Sequence, residues 1–236
     1  AKAEFVLRLH ADAAALEAVF GGTALGAVVR IADDRSDRHH RGRTVMICAF
    51  ESGVRVVYKP KSLAAEVGFN ALLGSLNELL GRRWFRVLRH VDRQDHGWVE
   101  YVAHRPCAGP EDARAYYERA GALLCVLFAL EAGDCHFENI VADGEYPVLV
   151  DAETVLQGQR DVERFDGTPS AYVVAMRRLR RSVLATGLLP SWVVGATGDA
   201  FDVSGFGCVE EHPVGSVYPV WDDPNSDGME RRHVPG

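Results

Sequence analysis

The chain has 236 residues, 47% hydrophobic and 25% charged, a globular composition able to bury a core. Its 26 Lys and Arg against 33 Asp and Glu give a net charge of -7, which repels a phosphate backbone, so no nucleic-acid partner is expected. The longest apolar run, Ala120 to Leu130, is shorter than the ~20 residues that span a bilayer. It reads as a buried helix, and no transmembrane segment is expected. No basic region followed by an apolar one opens the chain, which makes a cytoplasmic location the default expectation. The five scattered cysteines include no CxxC pair, so neither a disulfide framework nor a thiolate zinc site is expected.

In chain order, Ala11 to Phe20 has helical spacing and stops at Gly21-Gly22. A basic loop, DDRSDRHHRGR, runs from Asp33 to Arg43. Thr44 to Phe50 and Val54 to Tyr58 are β-rich runs separated by Glu51-Ser52-Gly53, the pattern of a hairpin. Lys59 ends the second strand, because Pro60 cannot continue it. Ser62 is the expected N-cap of a helix to Leu80, with an apolar stripe of Leu63, Val67, Leu72, Leu76 and Leu79 or Leu80. Two extended stretches, Trp84 to Leu88 and Trp98 to Val102, precede a long helix from Glu111 to Ala132. Gly133 has the place of its left-handed C′ residue. The loop GDCHFENI follows, then Ile140-Val141, a turn at Asp143-Gly144-Glu145, and the strand Pro147 to Val150, which ends at Asp151-Ala152-Glu153.

Phosphoryl transfer from a nucleotide needs a cation on the phosphates, oxygen ligands for Mg²⁺ and a carboxylate to take the hydroxyl proton. In protein kinases the lysine is on the third strand, the base precedes a metal-binding Asn by five residues, and a metal-binding Asp follows a short hairpin. Here Lys59 ends a hairpin strand, Asp134 stands five residues before Asn139, and Asp151 twelve beyond it. Singly, each has an ordinary explanation: an edge lysine, a polar turn, a strand-end cap. Together, and in this order, they predict an α+β, kinase-like two-lobed core, a small antiparallel sheet with a helix followed by a mainly helical lobe. A Mn²⁺ or Fe²⁺ centre is disfavoured, because His136 is the only histidine in the cluster.

The strings SDRHHRGRTVMICAF, VYKPKSL, GDCHFENIVADGEYPVLVDAETVL and RRSVLATGLLP resemble the dehydratase domain of class II lanthionine synthetases, the type 2 lantibiotic biosynthesis proteins. The resemblance runs from about Asp33 to Pro190. It implies a lipid-kinase-like fold that uses ATP and Mg²⁺ to phosphorylate Ser and Thr of a precursor peptide carrying a leader. Phosphate is then eliminated to leave dehydroalanine or dehydrobutyrine. Lys59 would contact phosphate, with Lys61 the second choice. Asp134 would be the base, supported by His136, while Asn139 and Asp151 would hold Mg²⁺ and Glu153 would complete the nucleotide site. Elimination would use Asp37, His39, Arg180 and Thr186. Residues 1–236 are expected to be one piece of a longer dehydratase domain, partnered in the full-length enzyme by a cyclase domain that this chain lacks. Two other readings stay open: a kinase that stops at phosphorylation, and a non-catalytic module of kinase shape.

Overall fold

Phe5, Asp12 and Leu16 fall on one stripe of helix α1 (Lys2–Leu16), so its buried face begins well before Ala11. A π turn (Glu17–Gly21) then ends it at Gly22, as the glycine pair predicts. The computed structural model describes residues 2–22, 24–33, 44–156, 170–194, 200–207, 217–222 and 230–235. It divides into two compact units, Ala1–Leu123 with Val141–Val155, and Leu124–Ile140 with Leu156–Gly236.

In the first unit the chain continues through β1 (Val28–Asp33), β2 (Met46–Phe50), β3 (Arg55–Lys59), α2 (Ala64–Leu79), β4 (His90–Asp92) and β5 (Gly97–Glu100). The strands form a five-stranded sheet in the order β1-β2-β3-β5-β4, with every described pairing antiparallel. The predicted hairpin joins β2 to β3, its Gly53 at φ +82 donating to the Phe50 carbonyl at 2.9 Å. β1 is unforeseen in the sequence: as an edge strand it leaves Val29 and Ile31 exposed, so it lacks the buried alternation that marks β2.

Cross-strand register sorts the core. Met46 faces Tyr58, Cys48 faces Val56 and Tyr58 faces Trp98, so these side chains share one face and pack with Phe5, Leu16 and Phe20. Val57 and Val99 pair on the opposite face, where Val99 packs with Leu63, Leu88, Val102 and Val148. Lys59 is two residues beyond Val57 and so shares that second face. Its cross-strand partner is Gly97, where a Cβ would come within 2.3 Å of Leu63 Cδ1.

Helix α2 departs from expectation at both ends. Its N-cap is Leu63, with no side-chain cap, while Ser62 Oγ accepts from Ala64 at 3.3 Å. The buried stripe is Glu66, Phe69, Asn70 and Leu73, and Leu79 and Leu80 are exposed. Trp84 to Leu88 is not a strand. Asn77 Oδ1 accepts from the Trp84 and Phe85 amides at 2.8 and 2.9 Å, and Asn70 Oδ1 from Leu88 at 2.7 Å. Side-chain amides thus satisfy a backbone that would otherwise need a sheet neighbour.

Helix α3 (Pro110–Ala129) is buried only along Arg119, Ala120, Leu123 and Leu127; Phe128 is exposed, so the run from Ala120 to Leu130 is not buried all round. Its left-handed C′ residue is Glu131 at φ 52, not Gly133. The Ala132 amide reaches the Leu127 carbonyl at 2.9 Å and the Glu131 amide that of Phe128 at 3.1 Å, a Schellman closure. The strand, turn and strand then follow as predicted: β6 (Ile140–Asp143), Gly144 at φ 59, and β7 (Tyr146–Leu149).

The second unit adds α4 (Ala171–Arg180), a 3-10 turn (Val183–Thr186), and two antiparallel strand pairs, β8 (Trp192–Val194) with β9 (Ala200–Asp202) and β10 (Val217–Asp222) with β11 (Glu230–Pro235). Among the described residues no helix is long and apolar enough to cross a membrane.

Candidate functional site

Two clusters carry the predicted residues, one in each unit. In the first unit, Lys59 at the end of β3 is only 5% exposed. Its Nζ donates to the Val150 carbonyl at 2.9 Å and lies 3.4 Å from Glu66 Oε1 and 3.3 Å from Asp151 Oδ1. Lys61 adds a second ammonium, 3.0 and 3.3 Å from the two Asp151 oxygens and 2.5 Å from Glu153 Oε2. Three elements meet here: the last residue of β3, the first turn of α2, and the segment leaving β7. Each is seated by the apolar face built on Leu63, Val99 and Val148.

Burial works to raise the Asp151 pKa, but the charges of Lys59 and Lys61 outweigh it and hold the carboxyl below the usual carboxylate range. Burial likewise works against the Lys61 charge, and the Asp151 and Glu153 carboxylates more than offset it, so its pKa is raised. Among the described residues the second Glu66 oxygen, Oε2, is buried without a hydrogen-bond partner. Glu66 is the residue the sequence reading misses. The available signal was an acid on the inward stripe of the helix, three residues after Leu63 and three before Phe69.

In the second unit, Asp134 adopts φ 58, a left-handed conformation rare for a residue with a Cβ. Its carboxylate is 3.4 Å from His136 Nε2, and its backbone carbonyl accepts from Asn139 Nδ2 at 2.8 Å. His136 Nδ1 accepts from the Glu138 amide at 3.3 Å, while Nε2, beside Asp134, also lies 3.3 Å from Asn139 Nδ2. The predicted trio therefore comes together in one loop. Thr186 ties to it through the backbone: its carbonyl accepts from the Cys135 amide at 2.9 Å. Gly187, at φ 77, lies against the same amide, and a Cβ on Gly205 would stand 2.5 Å from the Cys135 carbonyl oxygen. Burial pushes the Cys135 thiol up to about 12, so it is no thiolate.

The Thr186 hydroxyl is buried, donating to the Val183 carbonyl at 2.7 Å and accepting from Leu188 at 3.2 Å. Arg180 is the last residue of α4 and is exposed. Asp37 and His39 lie outside the described residues. Among the described residues no three His, Cys, Asp or Glu side chains are gathered as a metal-ion cage.

The result is an α+β chain with a small antiparallel sheet, helices, and two groupings of charged residues where strands and helices end. It belongs to the family described as Domain of unknown function (DUF4135), whose profile matches residues 1–236, the domain associated with class II lanthionine synthetases. A similar protein is the lacticin 481/lactococcin biosynthesis protein LcnDR2 of Lactococcus lactis subsp. lactis. It is 31% identical over 159 residues, which cover 64% of this chain and 17% of that protein. The chain thus spans less than a fifth of that relative's length.

Proposed function

We propose that this chain is the kinase-like part of a lanthipeptide-modifying dehydratase, which phosphorylates Ser and Thr of a precursor peptide with Mg·ATP and then eliminates the phosphate. One observation carries the reading: Lys59 is held by a carboxylate from the following helix, Glu66, and by Asp151 after a strand-turn-strand. That buried ion pair and adjoining acid are what phosphotransferases of the kinase type build from the same elements. The five-stranded sheet with its helix after β3 supports the same reading, as does the similarity to a lantibiotic biosynthesis protein.

The donors suit the group they would hold. Asp151 is kept ionised and offers hard oxygens, and Mg²⁺ needs only one or two protein carboxylate or carbonyl ligands beside phosphates and water. Asp151 would be such a ligand. When bound, Mg²⁺ neutralises phosphate charge and holds the terminal phosphoryl group. Asp134 takes the proton of the substrate hydroxyl as its oxygen bonds to the γ-phosphorus and the bond to ADP breaks. His136 holds the Asp134 carboxylate through Nε2. In elimination a base removes the α-proton, Cα=Cβ forms, and phosphate leaves with the electron pair of the Cβ–O bond. Arg180 would meet the charge of that departing phosphate.

A second reading, phosphorylation without elimination, is favoured by Thr186, whose one hydroxyl proton is already given to the Val183 carbonyl. Mass spectrometry of precursor peptide incubated with Mg·ATP separates the two. Products lighter by one water support the dehydratase; stable phosphopeptide supports the kinase. If Asp134→Ala and Asp151→Ala turned over like the parent, both readings would fall.

A further inference from the structure

An ammonium group has three protons. Those of Lys59 face three acceptors, the Val150 carbonyl, Glu66 and Asp151, at 2.9, 3.4 and 3.3 Å in a buried setting. Lys61 is placed differently. Its side chain is 30% exposed and that of Glu153 46%, so the 2.5 Å pair between them lies at the water-facing rim of the cluster. A rim ion pair exchanges its partner at little cost, whereas drawing a proton of Lys59 away from Glu66 uncovers a buried charge.

We propose that Lys61 is a phosphate-contacting cation of the nucleotide site, exchanging Glu153 for a phosphate oxygen while Lys59 stays in place as the hub that fixes Asp151. This rests on the nucleotide site argued above and deepens it. Pro60 puts a fixed φ between the two lysines, so they leave the end of β3 as one unit with separate tasks. Three carboxyl groups face two ammonium groups here. Releasing Glu153 to water leaves Glu66 and Asp151 matched by the lysines and frees a Lys61 proton for an incoming anion.

The test is calorimetric titration of the purified protein with Mg·ATP, Mg·ADP and adenosine, alongside its ligand-free melting midpoint. Lys61→Met is expected to weaken both nucleotides roughly ten- to hundredfold, the value of a charge-assisted hydrogen bond, and to leave adenosine unchanged. Lys61→Arg should retain most of the affinity. The double variant Lys61→Met/Glu153→Gln separates contact from charge balance: it should bind as weakly as Lys61→Met. Recovery of affinity in the double variant would reduce Lys61 to a neutraliser of Glu153 and overturn the proposal. So would parental affinity in a folded Lys61→Met. If the parent protein binds neither nucleotide, the nucleotide-site reading itself fails, a result distinct from both.

Discussion

Glu66 and Lys59 illustrate what one pair of charges does in a closed setting. Each is almost wholly buried, and each is tolerated there because the other neutralises it. Removing Glu66 leaves Lys59 with Asp151 and the Val150 carbonyl but one acceptor short. Glu66→Ala is expected to destabilise the fold by about 1–3 kcal/mol, and Glu66→Gln, which keeps an acceptor near Nζ, by less; urea unfolding of the two variants checks the order. Asp134 is the other residue whose surroundings hold it in an unusual state. Its left-handed backbone aims a carboxylate out of a loop pinned by Asn139 below and by the Thr186 carbonyl on the Cys135 amide. Strained conformations of this kind cost ~1–3 kcal/mol and persist where neighbouring contacts over-determine them.

At the scale of elements, α2 has two inward-facing asparagines that carry work usually left to a strand. Asn70 donates to the Glu66 carbonyl at 2.9 Å and accepts from the Leu88 amide at 2.7 Å, so it links the turn bearing Glu66 to the irregular segment beside it. Asn70→Ala is expected to cost about 1–3 kcal/mol by orphaning a buried amide. Hydrogen exchange at Leu88 should speed up in that variant more than exchange in β2 and β3. Register matters in the same way at β5. Gly97 opposite Lys59 leaves room for Leu63, and this close approach lets the start of α2 sit low enough for Glu66 to reach the lysine. The sequence shows the helix and the strands, because their apolar spacing is local. It does not show which polar residue on the helix turns inward, because that depends on what the sheet presents to it.

For the whole molecule, pH links these charges to stability. Asp12 is buried on α1; burial alone would raise its pKa, yet hydrogen bonds from Trp98, His96 and Arg93, each at 2.8 Å, hold it lower. Glu100 is lowered against its burial by Arg86 and Arg89, and Asp151 by its two lysines. A carboxyl whose folded pKa is depressed contributes stability above its unfolded value of ~4 and loses it as pH falls through the folded value. The denaturation midpoint should therefore hold from neutrality down to about pH 5 and fall steeply below ~4. Asp12→Asn should flatten that acid limb while lowering stability at pH 7, a comparison read from urea melts across the range.

The amino-acid sequence by itself determined the hairpin of β2 and β3, the lysine at its end, the two long helices, and the loop that gathers Asp134, His136 and Asn139. Each of these is set by neighbours within a few residues: alternation, a proline stop, a turn glycine, a helix end. Tertiary structure alone decided the edge strand β1, the non-strand path of Trp84 to Leu88, and the inward turn of Glu66. In each case the deciding partner is not among the residues beside it. For β1 it is β2, more than ten residues further along the chain; for Trp84 to Leu88, the asparagines of α2; for Glu66, the ammonium of a lysine on the sheet.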